Sequence, residues 1–187
     1  MLIVISGPIA SGKSSVARGV ARELQRDGVA MAVVDLDQLY EMQTHALDEP
    51  EADAARWSAA RHAAAALVAS FTADGIAAVI VEGSFQAQPD RLALTESLRS
   101  PSDALFVTLR VSYEEALRRA QSDPTRGLSA DPAFLRRYYD EAASTLAAAP
   151  EGDLVIDTES HTEEEVVAAV VRAVLAQQQQ GLSSLRR

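Results

Sequence analysis

The sequence predicts an α/β fold in which helices cover both faces of a parallel sheet. Five short apolar runs alternate along the chain with longer segments whose apolar residues recur at helical spacing. Strands that are apolar at nearly every position and are separated by helices are typical of a parallel sheet buried on both sides. The 187 residues fit one domain, which we place at 1–178, and the polar residues 179–187 are predicted to form a frayed tail.

Each element of this pattern has its own signal. The predicted strands are 2–6, 30–35, 77–82, 104–109 and 153–157. The predicted helices are 13–27, 53–74, 90–98, 112–122, 131–148 and 162–178. Val16, Val20 and Leu24 recur every four positions and form the apolar face of the first helix, and Gly28 predicts the turn that follows it. Thr162 precedes three glutamates, a pattern that is typical of a helix N-terminus.

Two segments interrupt the alternation of strands and helices. Residues 38–52 are polar and acidic, and residues 123–132 contain two prolines and a glycine around Arg126. Prolines and glycines favour turns over regular structure. We therefore predict that both segments are mobile excursions from the sheet and that the second, at about 123–133, is a lid.

Composition excludes several classes of protein. The chain has no cysteine, so it contains neither a disulfide framework nor a thiolate metal site. Its net charge of −10 argues against binding to extended nucleic acid through bulk electrostatics. Since no apolar run approaches the length of a membrane span and no signal peptide is recognisable, we expect a cytoplasmic protein, either a monomer or a homodimer.

The most specific motif is the run Gly7-Pro8-Ile9-Ala10-Ser11-Gly12-Lys13-Ser14, which matches the phosphate-binding loop G-x-x-x-x-G-K-[ST]. A predicted strand precedes it and a predicted helix follows it, which is the context that this loop requires. Lys13 is the only lysine among the 17 lysines and arginines. We therefore predict that ATP or GTP binds here with Mg²⁺. The predicted nucleotide contacts in this run are Gly7, Ala10, Ser11, Gly12, Lys13, Ser14 and Ser15.

Three acidic residues follow predicted strands and are candidates for chemistry beside the phosphates. Asp35 and Asp37 lie at the end of the second strand, and Glu82 closes the third. Ligands bind beyond the carboxyl ends of parallel strands, so these acids should face the same crevice as the loop. With the Ser14 hydroxyl, Asp35 and Glu82 are predicted Mg²⁺ ligands, and Asp37 is predicted to orient or deprotonate an acceptor hydroxyl. Asp35 has an alternative role as the cap of a following helix, and Glu82 as a solvated strand end.

Arginines cluster in the second half of this acidic chain. Arg119 and Arg126 are predicted to stabilise charge on a transferred phosphoryl group, because guanidinium groups bracket such charge well. Arg136 and Arg137 fit ordinary surface ion pairs better. The loop after the fifth strand, with Asp157 and Thr158, is the predicted contact for the nucleotide base, and Arg119 is also predicted to contact the nucleotide.

The acceptor pocket is predicted from residues that follow the second and third strands. Exposed aromatic and amide groups there would suit a ring-bearing or sugar-bearing acceptor. An alternative for Trp57, the only tryptophan, is packing between helices. The predicted acceptor contacts, in addition to Asp37, are Tyr40, Trp57, Arg61, Phe85, Gln86 and Arg91.

The phosphate loop, the Asp35-Leu36-Asp37 element and the arginines near the lid together resemble the small-molecule branch of the P-loop kinases. That branch includes shikimate kinase, gluconate kinase, adenylyl-sulfate kinase and the chloramphenicol phosphotransferases. The resemblance extends from Leu2 to about Leu175 and implies a P-loop NTPase three-layer sandwich with strand order 2-3-1-4-5. It also implies that Asp37 activates a hydroxyl and that Arg119 and Arg126 belong to the lid.

The sequence departs from some members of this branch. It lacks the paired glycines and the spaced acceptor arginines of shikimate kinase, and the acceptor signature of gluconate kinase. This favours the antibiotic phosphotransferases, which act on chloramphenicol or on nucleoside antibiotics such as capuramycin. Two alternatives stay open: a metabolite, nucleotide or polynucleotide 5′-kinase, and a non-catalytic nucleotide-binding regulatory module. The chain contains no asparagine, which excludes the N-K-x-D signature of regulatory GTPases and the catalytic loop of protein kinases.

Overall fold

A five-stranded parallel sheet forms the centre of the chain. The computed structural model describes residues 1–43, 50–85, 88–96, 98, 103–147 and 152–184. The strands are β1 (Leu2–Ser6), β2 (Met31–Asp35), β3 (Ala78–Gly83), β4 (Ala104–Arg110) and β5 (Leu154–Asp157). They pair in parallel in the order β2-β3-β1-β4-β5. The predicted fold class and strand order are therefore confirmed.

Helices lie on both faces of this sheet. Their bounds are α1 (Lys13–Arg26), α2 (Leu36–Glu41), α3 (Pro50–Ala73), α4 (Gln88–Thr95), α5 (Tyr113–Ser122), α6 (Pro132–Ala147) and α7 (Glu163–Ser184), with a 3₁₀ helix (Gly127–Ala130) before α6. On one face Ile3 and Ile5 of β1 pack with α1 and α7. On the other face Leu2 and Val4 pack with α3 and α4. Successive residues of one strand thus enter two separate cores, which explains why the strands are apolar at nearly every position.

The structure differs from the prediction in two segments. The segment predicted as a polar excursion at 38–52 contains α2 and the start of α3, while residues 44–49 of it lie outside the described part of the chain. The α7 helix continues to Ser184, into the segment predicted as a frayed tail, because a run of glutamines has good helix propensity. Gln177 also anchors this end, since its amide donates a hydrogen bond of 3.0 Å to the carbonyl of Ala104.

The segment predicted as a lid connects α5 to α6. It consists of a turn from Asp123 to Arg126, the 3₁₀ helix and the first residues of α6. None of the helices in the described ranges combines the length and the apolar character needed to span a bilayer.

Candidate active site

The phosphate loop, Gly7 to Ser14, joins the central strand β1 to the N-terminus of α1. Its path requires a left-handed backbone at Ala10 (φ 61°) and Gly12 (φ 90°), and the backbone N–H of Ser11 donates to the carbonyl of Pro8 (3.2 Å). Gly7 leaves no room for a side chain, because a Cβ there would lie 2.6 Å from Ser11 Oγ. The loop therefore curves tightly in front of the helix N-terminus, where backbone N–H groups and the helix dipole favour phosphate.

The Lys13 side chain folds back over the same loop. Its Nζ donates hydrogen bonds to the carbonyls of Gly7 (3.2 Å) and Pro8 (3.1 Å). Burial lowers the pKa of Lys13 below its ordinary value. The ammonium group is thus held within the loop rather than in solvent.

Acidic side chains surround this ammonium group. The carboxylates of Asp37, Glu82 and Asp35 oppose the burial effect and raise the pKa of Lys13, whereas the Arg126 guanidinium lowers it. These groups come from four different parts of the chain, namely β2, α2, the end of β3 and the lid. The structure therefore places the three predicted acids and the lid arginine close enough to Lys13 to affect its pKa.

Strand register explains how two of these acids reach the loop. Asp35 of β2 lies opposite Glu82 of β3, and Glu82 lies opposite Ile5 of β1. The three residues form a row across the carboxyl edge of the sheet, and β1 continues from this row through Ser6 into the phosphate loop. Both acids are therefore placed beside the loop by backbone pairing alone.

Glu82 contacts the first turn of α1 directly. The hydroxyl of Ser14 donates a hydrogen bond of 2.7 Å to Glu82 Oε2, and Glu82 is only 4% exposed. Burial raises the pKa of Glu82 above its ordinary value, while the Ser14 hydrogen bond acts in the opposite direction. A hydroxyl and a buried carboxylate side by side fit Mg²⁺, which prefers oxygen ligands and binds through few protein groups. Across the described ranges no group of three or more His, Asp or Glu side chains is arranged to hold a metal ion, so phosphate and water would supply the other ligands.

Asp35 and Asp37 have different positions. The side chain of Asp35 accepts hydrogen bonds from the backbone N–H groups of Asp37 (2.9 Å) and Gln38 (3.3 Å), which makes Asp35 the N-cap of α2. The alternative role for Asp35 as a helix cap is therefore confirmed. Asp37 occupies the first turn of α2 and is exposed, and β2 does not continue through it.

Arg119 connects the phosphate loop to the loop after β5. Its Nη1 donates to Thr158 Oγ1 (3.0 Å) and to the carbonyl of Ala10 (3.4 Å), and its Nη2 donates to the carbonyl of Thr158 (2.7 Å). Glu115, one turn earlier on α5, accepts from Arg119 Nε at 2.7 Å. All of these contacts hold the guanidinium group in one orientation at the predicted nucleotide site.

Two other predicted site residues, the lid arginine Arg126 and the base-contact residue Asp157, are more exposed. Arg126 pairs with Asp123 at 3.2 Å, three residues earlier in the lid segment. Asp157 is exposed and accepts a hydrogen bond of 2.9 Å from the backbone N–H of Glu159. Asp157 thereby shapes the loop that contains Thr158.

Two of the three aromatic residues predicted for the acceptor pocket meet between α2 and α3. The rings of Tyr40 and Trp57 are stacked with their centroids 4.1 Å apart. Arg56 lies 3.9 Å above the Tyr40 ring and donates a hydrogen bond of 2.8 Å to its hydroxyl. The Tyr40 hydroxyl in turn donates to Asp53. We call Tyr40, Arg56 and Trp57 the α2–α3 cluster.

Phe85 and Arg61 differ from what was predicted for the acceptor pocket. Phe85 is fully buried in the core beneath α3 and α4, which corrects its prediction as an exposed contact. Arg61 is half-buried and pairs with Asp90 at 3.1 Å. Gln86, the remaining amide of this set, lies outside the described residues.

Arg91 is a core residue rather than a pocket residue. It is 8% exposed, pairs with Asp153 and lies 3.7 Å above the ring of Phe106. Asp153 also accepts a hydrogen bond of 2.7 Å from the Thr108 hydroxyl. The guanidinium group of Arg91 is therefore committed to a buried ion pair between α4 and the residue before β5, rather than exposed towards an acceptor as predicted.

Two tyrosines of α6 belong to the site and were missed from the sequence. The hydroxyl of Tyr139 donates a hydrogen bond of 3.0 Å to the carbonyl of Ile9 in the phosphate loop. Burial, with a smaller contribution from the nearby Asp37 carboxylate, raises the pKa of Tyr138. The sequence feature that could have identified them is their position as an aromatic pair directly after Arg136 and Arg137, in a predicted helix that follows the lid.

A parallel sheet in this order, with a G-x-x-x-x-G-K-S loop at the carboxyl end of its central strand, defines a P-loop kinase fold. The sequence model of the family described as chloramphenicol phosphotransferase-like protein matches residues 1–176. The chain therefore belongs to that family and is a kinase-like phosphotransferase with a nucleotide-binding P-loop. No curated protein matches the chain.

Solved structures share this fold at low sequence identity. A sugar kinase from Janibacter sp. HTCC2649 is 18% identical over 91% of this chain and 92% of that chain, with a TM-score of 0.64. A gluconokinase from Sinorhizobium meliloti 1021 is 21% identical over 98% and 94% of the two chains, with a TM-score of 0.60. Shikimate kinase from Acinetobacter baumannii, in complex with shikimate, is 19% identical over 94% and 93%, with a TM-score of 0.57. At these identities the likeness shows the fold alone.

Proposed function

We propose that the protein transfers the γ-phosphoryl group of ATP or GTP to a hydroxyl of a small molecule, with an antibiotic as the favoured acceptor. The observation that carries this proposal is the arrangement around Lys13, where the phosphate loop, the Ser14–Glu82 contact and Asp37 meet. A module that only bound nucleotide would need the loop but not an exposed carboxylate beside it.

The phosphate loop and Lys13 bind the triphosphate in this proposal. Backbone N–H groups at the start of α1 hold the phosphate oxygens, and the Lys13 ammonium neutralises part of their charge. Ser14 and Glu82 hold Mg²⁺, Glu82 directly or through water, and Asp35 contributes to the negative potential at this edge of the sheet. Mg²⁺ held there would supply positive charge that offsets the negative charge developing on the phosphate oxygens.

Asp37 is the proposed proton acceptor for the hydroxyl under attack. Its position in the first turn of α2 keeps the carboxylate exposed on the side of Lys13, and the cap that Asp35 provides fixes the start of this helix. A carboxylate in reach of the hydroxyl orients it for in-line attack and takes its proton as the new bond to the γ-phosphorus forms. The bond from that phosphorus to the bridging oxygen breaks, and the nucleoside diphosphate leaves.

Arg119 and Arg126 have different proposed roles on the phosphoryl group. Arg119 is held against Thr158 and Ala10, so it offers a fixed positive charge between the phosphate loop and the proposed base contacts, Asp157 and Thr158. Arg126 is more exposed and pairs with Asp123 three residues earlier, so it can exchange that partner for a phosphate when the lid closes. Guanidinium groups in these two places would bracket the moving phosphoryl group.

The α2–α3 cluster supports an uncharged, ring-bearing acceptor. Stacked aromatic rings beside the proposed base provide a surface for planar or sugar rings. A carboxylated acceptor would need a cationic partner, but Arg56 is engaged by Tyr40, Arg61 by Asp90 and Arg91 by Asp153. Tyr40 and Trp57 are therefore the proposed acceptor contacts, and antibiotic resistance is the biological role that such an acceptor favours.

The test is a product screen. The protein is incubated with Mg²⁺ and ATP or GTP against a panel of neutral hydroxylated antibiotics, carboxylated sugar acids, nucleotides and oligonucleotides with free 5′-hydroxyls. Mass spectrometry then detects products about 80 Da heavier than their acceptors, the mass of one added phosphoryl group. We expect such a product among the neutral acceptors. Modification confined to 5′-hydroxyls would favour the nucleotide kinase alternative, and nucleotide binding without any product would favour the regulatory module.

A further inference from the structure

Side chains from α5 and α6 hold two successive carbonyls of the phosphate loop. The Tyr139 hydroxyl of α6 donates to the carbonyl of Ile9 at 3.0 Å. The Arg119 guanidinium of α5 donates to the carbonyl of Ala10 at 3.4 Å. Lys13 covers the two carbonyls before them. The carbonyl oxygens of the loop are thus occupied by donors from three different helices.

The orientation of these carbonyls matters because they carry partial negative charge. A loop that binds phosphate must direct its N–H groups towards the anion and its carbonyl oxygens away from it. A trans peptide is planar, so the carbonyl of Ile9 and the N–H of Ala10 point in opposite directions from the same peptide plane. The Tyr139 hydroxyl, by holding the Ile9 carbonyl, therefore also sets the direction of the Ala10 N–H.

This part of the loop needs such support. Ala10 has a φ of 61°, a left-handed conformation that residues with a Cβ rarely adopt. Its side chain is 5% exposed and packs against Ala116 and Ala120 of α5 and Leu135 of α6. The two helices that flank the lid therefore help to maintain the conformation of Ala10.

We propose that Tyr139 is a positioning residue for nucleotide binding: from α6, its hydroxyl keeps the Ile9–Ala10 peptide in the orientation that presents N–H groups to the phosphates. The proposal rests on the proposed function only in that a nucleotide is the ligand of the loop. The lid segment joins α5 to α6. The hydrogen bonds from Arg119 and Tyr139 therefore connect the conformation of the phosphate loop to the two helices that flank the lid.

Tyr113 provides a matched control. Its ring meets the ring of Tyr139 edge to face at 5.8 Å, and its hydroxyl also donates to a backbone carbonyl, that of Pro132 at 3.3 Å. Tyr113→Phe and Tyr139→Phe therefore each remove one hydroxyl donor from the same ring pair. Only the Tyr139 hydroxyl has its acceptor in the phosphate loop.

The experiment measures two properties of the wild type and both variants. Hydrogen exchange followed by mass spectrometry reports on the peptide covering residues 7–14 in the free protein, and calorimetric titration reports the affinity for Mg-ADP. For Tyr139→Phe we expect faster exchange in this peptide and an affinity about three- to tenfold weaker, the effect of one neutral hydrogen bond. Tyr113→Phe should keep wild-type exchange in the peptide and an affinity within about twofold.

The outcomes separate this inference from the proposed function. If Tyr139→Phe matches Tyr113→Phe in both exchange and affinity, the positioning role is wrong. If the wild type binds no Mg-ADP, the proposed function fails, and the exchange rates of the peptide still decide whether Tyr139 holds the loop.

Discussion

Gly83 closes β3 directly after Glu82, and its surroundings leave no space for a side chain. Its φ is 151°, and a Cβ there would lie 2.5 Å from Leu36 Cβ and 2.8 Å from Leu36 Cδ2. Carbon atoms in contact prefer a separation of 3.5–4.0 Å, so the substitution Gly83→Ala requires Leu36 to retreat by about 1 Å. Leu36 is fully buried and begins α2, between the cap Asp35 and the proposed base Asp37.

The cost of this substitution has two parts. Overpacking a buried contact costs about 1–3 kcal/mol, and an unfavourable backbone conformation adds about 1–2 kcal/mol. We expect Gly83→Ala to lower the free energy of unfolding by about 2–5 kcal/mol in total. Gly75→Ala is the matched control, because Gly75 has a φ of 81° and no atom within 4 Å of its Cβ position, so only the backbone part applies.

Urea unfolding at equilibrium measures both variants, with the m-value checked for a common denatured state. A cost for Gly83→Ala no larger than that for Gly75→Ala would refute the reasoning, since Leu36 would then yield without penalty. The displaced Leu36 also shifts Asp37, and a shift of about 1 Å can reduce turnover about a hundredfold. This second effect is measured with an acceptor from the product screen.

Three further substitutions test the site. Asp37→Asn should lower turnover by about 10²–10⁴ while Mg-nucleotide affinity stays within about twofold, and turnover near the wild-type rate would contradict the assigned base. Glu82→Gln should weaken Mg-ADP binding and yet stabilise the metal-free protein at neutral pH, because a raised pKa means that the folded state resists losing the proton. The difference in stability between Glu82→Gln and wild type should be absent below the ordinary Glu pKa of 4.5 and should grow as the pH rises. Thermal melts that show the same difference at every pH would exclude the raised Glu82 pKa as its cause. Arg118 and Arg119 lower the pKa of Glu115 to about 2, so the stability that Glu115 adds should be complete above pH 4.5 and be lost as pH falls towards 2. Glu115→Gln should remove this dependence in low-salt urea unfolding, and an unchanged pH profile would show that the Glu115 ion pairs contribute nothing.

The strands and the phosphate loop were predictable because their signals are local. A strand buried on both faces must be apolar at nearly every position, and β1 and β3 are buried throughout. The loop motif is contiguous, so its match needs no knowledge of distant residues. The α2 helix was missed for the opposite reason: it is too short to show a helical period, and its main signal is the capping Asp35, which also fits a strand end.

The acceptor side was harder to predict because the same residue types serve in pockets and in cores. Arg91 resembles a pocket arginine in the sequence, but its partner Asp153 is 62 residues away in the chain. Phe85 follows a strand at the carboxyl edge, where pocket residues are expected, and packs into the core instead. A pattern of residue types does not show whether a charged side chain already has a partner of opposite charge within the fold.

The sequence by itself determined the fold class, the family resemblance and the phosphate loop around Lys13, because each of these depends on neighbouring residues along the chain. Only the tertiary structure decided that Glu82 contacts Ser14, that Asp35 caps α2 and that Tyr139 supports the loop. The physical reason is that hydrogen bonds and charge interactions act over a few ångströms through space. The partners that satisfy this distance are chosen by how the strands pair and how the helices pack.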